Sequence, residues 1–183
     1  LELAKMIERG KLRVQNAVLS AQLALPVLQE LISDIQKGQL QVHQLLLGIA
    51  EDQPNETKVE TDKLIANFET AIALDKKREQ LIDELAEVRE NGPYEELRGR
   101  ILAIGGEIAL LFSGRLICQE CIDSMTTAVE ELSRRFRQVL VSVMKEANLS
   151  LIEQNDPAFV GAIEAQVNRQ FMIEAGLDGK ALD

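Results

Sequence analysis

From Leu97 to Val143, apolar residues recur at alternating steps of four and three. The series runs through Ile101, Ile104, Ile108, Leu111, Cys118, Ile122, Met125, Val129, Leu132, Phe136 and Val139, and Arg115 interrupts it once. That period holds one side of an α-helix against a neighbour, because about 3.6 residues complete a turn, and its persistence predicts a seam buried as in a coiled coil. The first 50 residues repeat the pattern through Val14, Val18, Ala21, Leu25, Leu28, Ile32, Ile35, Val42, Leu46 and Ile49, with Gln39 as the polar break. A weaker stripe, Leu64, Phe68, Ala71, Asp75, Arg78, Ile82 and Leu85, carries two charges. No segment alternates with the period of a strand. The expected fold is therefore all-α: a coiled-coil-like bundle of three long helices and a short C-terminal one.

Three polar segments punctuate the pattern, at 51–57, 90–95 and 148–157, each combining Pro with Asn, Asp or Gly where a helix should stop. They leave helices over 1–50, 57–90, 95–147 and 157–175. Asn55 or Thr57 is a fitting cap for the second, and Asp156 before Pro157 for the last. Pro26 should kink the first helix, since it removes a backbone donor and crowds the preceding turn; a true break is the alternative. With 183 residues, 46% of them hydrophobic, the chain can bury a core as one domain over 1–183.

The lengths do not match. At 1.5 Å per residue the first and third helices would reach roughly 75–80 Å and the second about 50 Å. Helix two would then cover residues 17–50 and 95–130, and the fourth would fold over 131–147 through Val160, Ile163, Val167 and Phe171. Nothing covers residues 1–16. Their apolar positions Leu3, Met6, Ile7 and Val14 predict a partner chain, self-association, or continuation into a longer protein. Aligning the three long helices through short turns also brings the polar breaks Gln39, Asp75 and Arg115 near one height. A guanidinium on an apolar seam needs a carboxylate and an amide, so a polar layer is expected in which Arg115 pairs with Asp75 or Glu69 and bonds Gln39, unless Arg115 reaches solvent along the rim.

Catalytic constellations are missing. His43 is the single histidine and reads as a surface residue, and there is no phosphate-binding glycine loop or paired Glu-x-x-His. No enzyme activity and no cofactor are expected. Cys118 and Cys121 lie one turn apart. In a helix interior they read as buried and inert, with a redox couple or half of a soft-metal site as the other reading. Such spacing fits a reducing compartment better than a secreted disulfide framework, and localisation is read as cytoplasmic from it. A net charge of −10 opposes nucleic acid and disfavours membrane surfaces. Segment 101–112 is apolar but interrupted by Glu107 and two glycines, and too short to span a bilayer. Arg134, Arg135, Arg137 and Lys145 form a short basic stretch, read as a solvated face or a site for an acidic partner or phosphate. Sequons at Asn55 and Asn148 read as capping and chance.

The order of features from Ser20 to Val129 resembles the helical toxic-anion (tellurite) resistance family. The residues concerned are Ser20-Ala21-Gln22, Leu31, Gly38, Ala73-Leu74-Asp75, the stretch Ile104-Gly105-Gly106-Glu107-Ile108-Ala109-Leu110, and Thr126-Thr127-Ala128-Val129. The aromatic and asparagines expected around the glycines are absent, and the spacings drift. The resemblance implies a cytoplasmic stress-response protein and transfers no catalytic residue. The preferred reading is a structural or interaction protein that offers helical faces to partner chains. Alternatives are a stress or anion-resistance factor using Cys118 and Cys121 or the basic stretch, and a membrane-active toxin opening 101–117 onto lipid.

Overall fold

The computed structural model describes residues 2–50, 53–88, 91–146 and 157–176. Every element named among them is a helix: α1 (Glu2–Ser20), α2 (Ala24–Gln36), α3 (Val42–Leu45), α4 (Pro54–Glu87), α5 (Asn91–Leu111), α6 (Gln119–Glu146) and α7 (Pro157–Ala175). The all-α expectation holds, and α4 and α7 fall close to their expected spans. The two longest expected helices do not exist as continuous rods. Residues 1–50 are divided into α1, α2 and α3, and residues 95–147 are divided between α5 and α6.

Each division has a local cause. At the first, α1 and α2 meet at 102°, so the chain breaks ahead of Pro26. Pro26 then falls in the first turn of α2, where a missing N–H leaves no intrahelical bond unmade. At the second, Gly38 adopts φ 74°, its N–H reaches the Ile35 carbonyl at 3.0 Å, and the Gln39 N–H reaches Asp34 at 2.8 Å. These two bonds form a Schellman stop, which requires a left-handed residue that glycine supplies without steric cost. The third falls at Ser113-Gly114, between α5 and α6. Turns end α5 there, and further along the connection Leu46 and Ile117 form an isolated antiparallel bridge. The Leu47 N–H donates to Leu116 O and the Cys118 N–H to Leu45 O, both at 2.8 Å.

Broken helices leave carbonyls without intrahelical donors, and those must find partners elsewhere. Long polar side chains supply them. Gln15, 1% exposed, donates through Nε2 to Phe112 O and Arg115 O, both at 3.0 Å, while its Oε1 accepts the Ile117 N–H at 2.7 Å. Asn67 Nδ2 donates to Leu111 O at 2.6 Å, and an Arg169 guanidinium N–H to Leu85 O at 3.2 Å. Arg78, fully buried, donates to Ser20 O at 2.8 Å at the end of α1.

These contacts fix the packing. The last turns of α1 run antiparallel to α5, since Gln15 meets Phe112 and Ser20 meets Gly105. A Cβ on Gly105 would stand 2.8 Å from the Ser20 carbonyl oxygen, so only glycine lets α5 approach the α1–α2 corner this closely. Helix α4 packs antiparallel along the other side of α5. The largest core cluster joins Val18 and Leu19 of α1, Leu25, Leu28 and Ile32 of α2, and Leu45 of α3 to Leu64, Ile108, Phe112 and Met125. A second joins Leu81, Ile82 and Leu85 to Leu97, Ile101 and Met172, and a third joins Ala21 and Val129 to Phe136 and Phe171.

The expected polar layer does not form. Arg115 stands in the connection ahead of α6 and turns to the first turns of α4. There its guanidinium meets Glu56 at 2.6 Å, Glu60 at 3.3 Å and Gly48 O at 3.1 Å. Asp75 instead pairs with Arg78 of its own helix, with Oδ1 2.8 Å from Nε and 2.5 Å from the second guanidinium nitrogen. Gln39 is exposed beyond the end of α2, and Glu69 is exposed. Heights assigned along uninterrupted helices fail once two turns intervene. Helix α7 does fold over α6, with the Phe136 and Phe171 rings edge to face at 4.3 Å, and it also reaches α4. The Asp156 cap and the Asn148 sequon lie outside the described residues, as do the side chains of Val143, Lys145 and Val160.

Candidate functional site

Two places on this framework combine reactive or adhesive side chains with access. The first is the N-terminal half of α1, which projects past the end of α5. Its buried residues begin only at Gln15. Leu3, Met6, Ile7 and Val14 are 69%, 62%, 52% and 49% exposed. Leu3, Ile7, Gly10 and Val14 follow the same four-three-four spacing that forms seams elsewhere in the chain, and a Cβ on Gly10 would meet nothing within 4 Å. At the base of the projection, Ile7, Gly10 and Val14 face Leu47, Leu116 and Ile122 across a groove of about 310 Å³. Apolar side chains that stay wet at this density mark a contact surface more often than a solvated face. Lys11 and Gln119 are the polar groups at its edge, together with the buried Gln15.

The second is the pair Cys118 and Cys121, and here the helix-interior expectation is corrected. The break after Leu111 puts Cys118 at the N-cap of α6. Its carbonyl accepts the Ile122 N–H at 3.2 Å, and its own N–H is held by Leu45 O. Cys121 is the third residue of the helix. The two sulfurs are 2.8 Å apart, both thiols are free, and both residues are half-buried against the largest core cluster. Burial first, and the hydrogen bond with Cys118 second, push the Cys121 thiol up to about 12, with the nearby Glu120 carboxylate adding to the effect. Cys121 thus keeps its proton at neutral pH. Among the described residues no group of three Cys, His, Asp or Glu side chains converges to hold a metal ion, so the pair stands as two sulfurs rather than part of a larger donor set.

The other residues singled out in the sequence fall apart from these places. His43 is half-buried in α3. Arg134 pairs with Glu131 at 2.5 Å, and Arg135 lies 6.0 Å from the Phe136 ring, so the basic stretch is an exposed face of α6 already engaged locally. The Arg115 centre ties the α5–α6 connection to Gly48 and to the first turns of α4; the hydrogen bond to Glu60, ahead of that to Glu56, raises its pKa further. Segment 101–112 buries Ile101, Ile108 and Phe112 in the core and leaves Leu110 exposed. No single helix among the described residues is long and apolar enough to cross a membrane. The importance of Gln15 and Arg78 escaped the sequence reading; Arg78 had a signal, as a charge three residues from Asp75 on an otherwise apolar stripe. Compared with known proteins, the chain matches no family model, no curated protein and no solved structure.

Proposed function

We propose that this chain is a non-enzymatic interaction protein whose docking surface is the N-terminal half of α1, and that the occupant is the same helix of a second copy. The observation that carries the reading is the wet seam of Leu3, Met6, Ile7 and Val14, which no described element buries. Coiled-coil-like pairing in the antiparallel sense suits the residues. Centred between Glu8 and Arg9, it sets Leu3 against Val14 and Ile7 against the open notch at Gly10. Lys11 and Arg13 then face Met6 and Ala4.

Light scattering against concentration tests this reading. A dimer is expected, and Ile7→Glu should weaken it by at least about a hundredfold, because two isoleucine side chains leave the interface together. Val59→Glu, at a 63% exposed position on α4, should leave it intact. A wild-type chain that stays monomeric into the hundreds of micromolar refutes the second copy as occupant. The likeness to toxic-anion resistance proteins rests on sequence alone.

A further inference from the structure

We infer that Cys118 and Cys121 form a reversible dithiol–disulfide couple, a site of thiol–disulfide exchange with small disulfides of the glutathione class. The inference goes beyond the docking role and does not depend on it. It stands on placement. The break between α5 and α6 puts Cys118 at the head of a 28-residue helix, and the bridge bond to Leu45 O with the first helical bond from Ile122 holds its backbone on both sides. One turn of helix then brings the Cys121 sulfur to 2.8 Å from it, so ring closure needs only side-chain rotation and a shorter S–S separation. Both residues keep part of their surface open to solvent.

The roles within the pair follow from its asymmetry. The thiolate is the nucleophile in exchange, and Cys121, half-buried and hydrogen-bonded to its neighbour, keeps its proton. Attack therefore begins at Cys118. Its thiolate sulfur bonds to one sulfur of the small disulfide, whose S–S bond breaks, and the departing thiolate takes up a proton. Cys121 then gives up its proton and attacks the Cys118 sulfur, and the second small thiolate departs and takes that proton. The sum is one intramolecular disulfide and two small thiols, with the small disulfide as the oxidant that is reduced; dithiothreitol reverses it.

The experiment uses the full chain, folded, in mixtures of reduced and oxidised glutathione, with iodoacetamide alkylation and mass spectrometry as the readout. Both thiols should become unreactive in step, in a monomeric product on non-reducing gels, and dithiothreitol should restore them. Cys121→Ser should stop at a mixed disulfide with glutathione on Cys118. Cys118→Ser should form its adduct at least about tenfold more slowly, as expected for a thiol kept protonated. Circular dichroism checks that both variants stay helical, and the wild-type titration decides the matter if either does not. Thiols that oxidise only in denaturant, a disulfide that joins two chains, or an adduct that appears first on Cys121 would each overturn the proposal.

Discussion

Replacing Gln15 by leucine conserves volume and removes the amide that bonds three backbone atoms in the gap between α5 and α6. The side chain is 1% exposed and serves three backbone atoms: two carbonyls at 3.0 Å and the Ile117 N–H at 2.7 Å. Two of the three bonds are buried and the third, to Arg115 O, is partly so. A buried backbone group left unpaired costs about 1–3 kcal/mol, and leucine leaves no room for water to substitute. Gln15→Leu should therefore destabilise the fold by roughly 3–6 kcal/mol, a large share of what a domain of this size has to spare. Gln15→Ala should cost less, because the vacated volume can admit water to the same three atoms. Urea unfolding followed by helical circular dichroism measures both, with exposed Gln80→Ala as the control expected within about 0.5 kcal/mol of wild type. Amide exchange at Ile117 should also accelerate in the leucine variant. A loss under about 1 kcal/mol for Gln15→Leu would show that those backbone atoms have other partners and that the clamp is incidental.

Asp75→Ala should destabilise by about 3–5 kcal/mol by stranding the buried Arg78, whereas Asp75→Leu with Arg78→Met should recover much of that, as judged by the same unfolding assay. Equal losses in the single and double variants would refute the pairing. Gly105→Ala should cost about 1–3 kcal/mol because the Ser20 carbonyl blocks the new methyl, while Gly106→Ala, with open space around it, should gain up to about 1 kcal/mol in helix propensity. The same sign at both positions would count against the close approach of α5. The Cys121 thiol is raised from 9.0 to about 12, so the folded chain holds that proton more tightly than the unfolded one. Its contribution to stability is complete below pH 9.0 and is lost as pH rises towards about 12, so wild type should lose stability over that window more steeply than Cys121→Ser; parallel curves would refute it.

Helical periodicity made the fold class legible and marked most of the residues that enter the core. It could not mark where the backbone turns. Leu46, Ile49, Ile108 and Ile122 keep the seam spacing and are all buried, yet the chain between them contains breaks and an extended bridge. Apolar spacing reports which side chains leave water, and a short loop can preserve that phase while reversing or bending the chain. Signals for the breaks are present: Lys37-Gly38 past the end of a helix, Ser113-Gly114, and Pro26, which is compatible with either a kink or a break. They were outweighed by the length of the repeat. Reading Cys118 as a helix-interior residue followed from that one error, since the character of a thiol there depends on whether a helix starts at Gln119 or passes through it.

By itself, then, the sequence determined that this protein is helical, which faces of its helices are apolar, and that it lacks the usual catalytic and cofactor-binding motifs. Each of those properties is local, set by residue type and spacing within a few turns. The tertiary structure alone decided that Gln15 closes a gap about a hundred residues away, that Arg115 answers Glu56 and Glu60 rather than Asp75, and that two thiols meet at the head of α6. Those pairings depend on where broken helices leave carbonyls and N–H groups unmatched. Which distant side chain reaches them is set by packing of the whole chain, through bonds whose two partners carry no common signal in sequence.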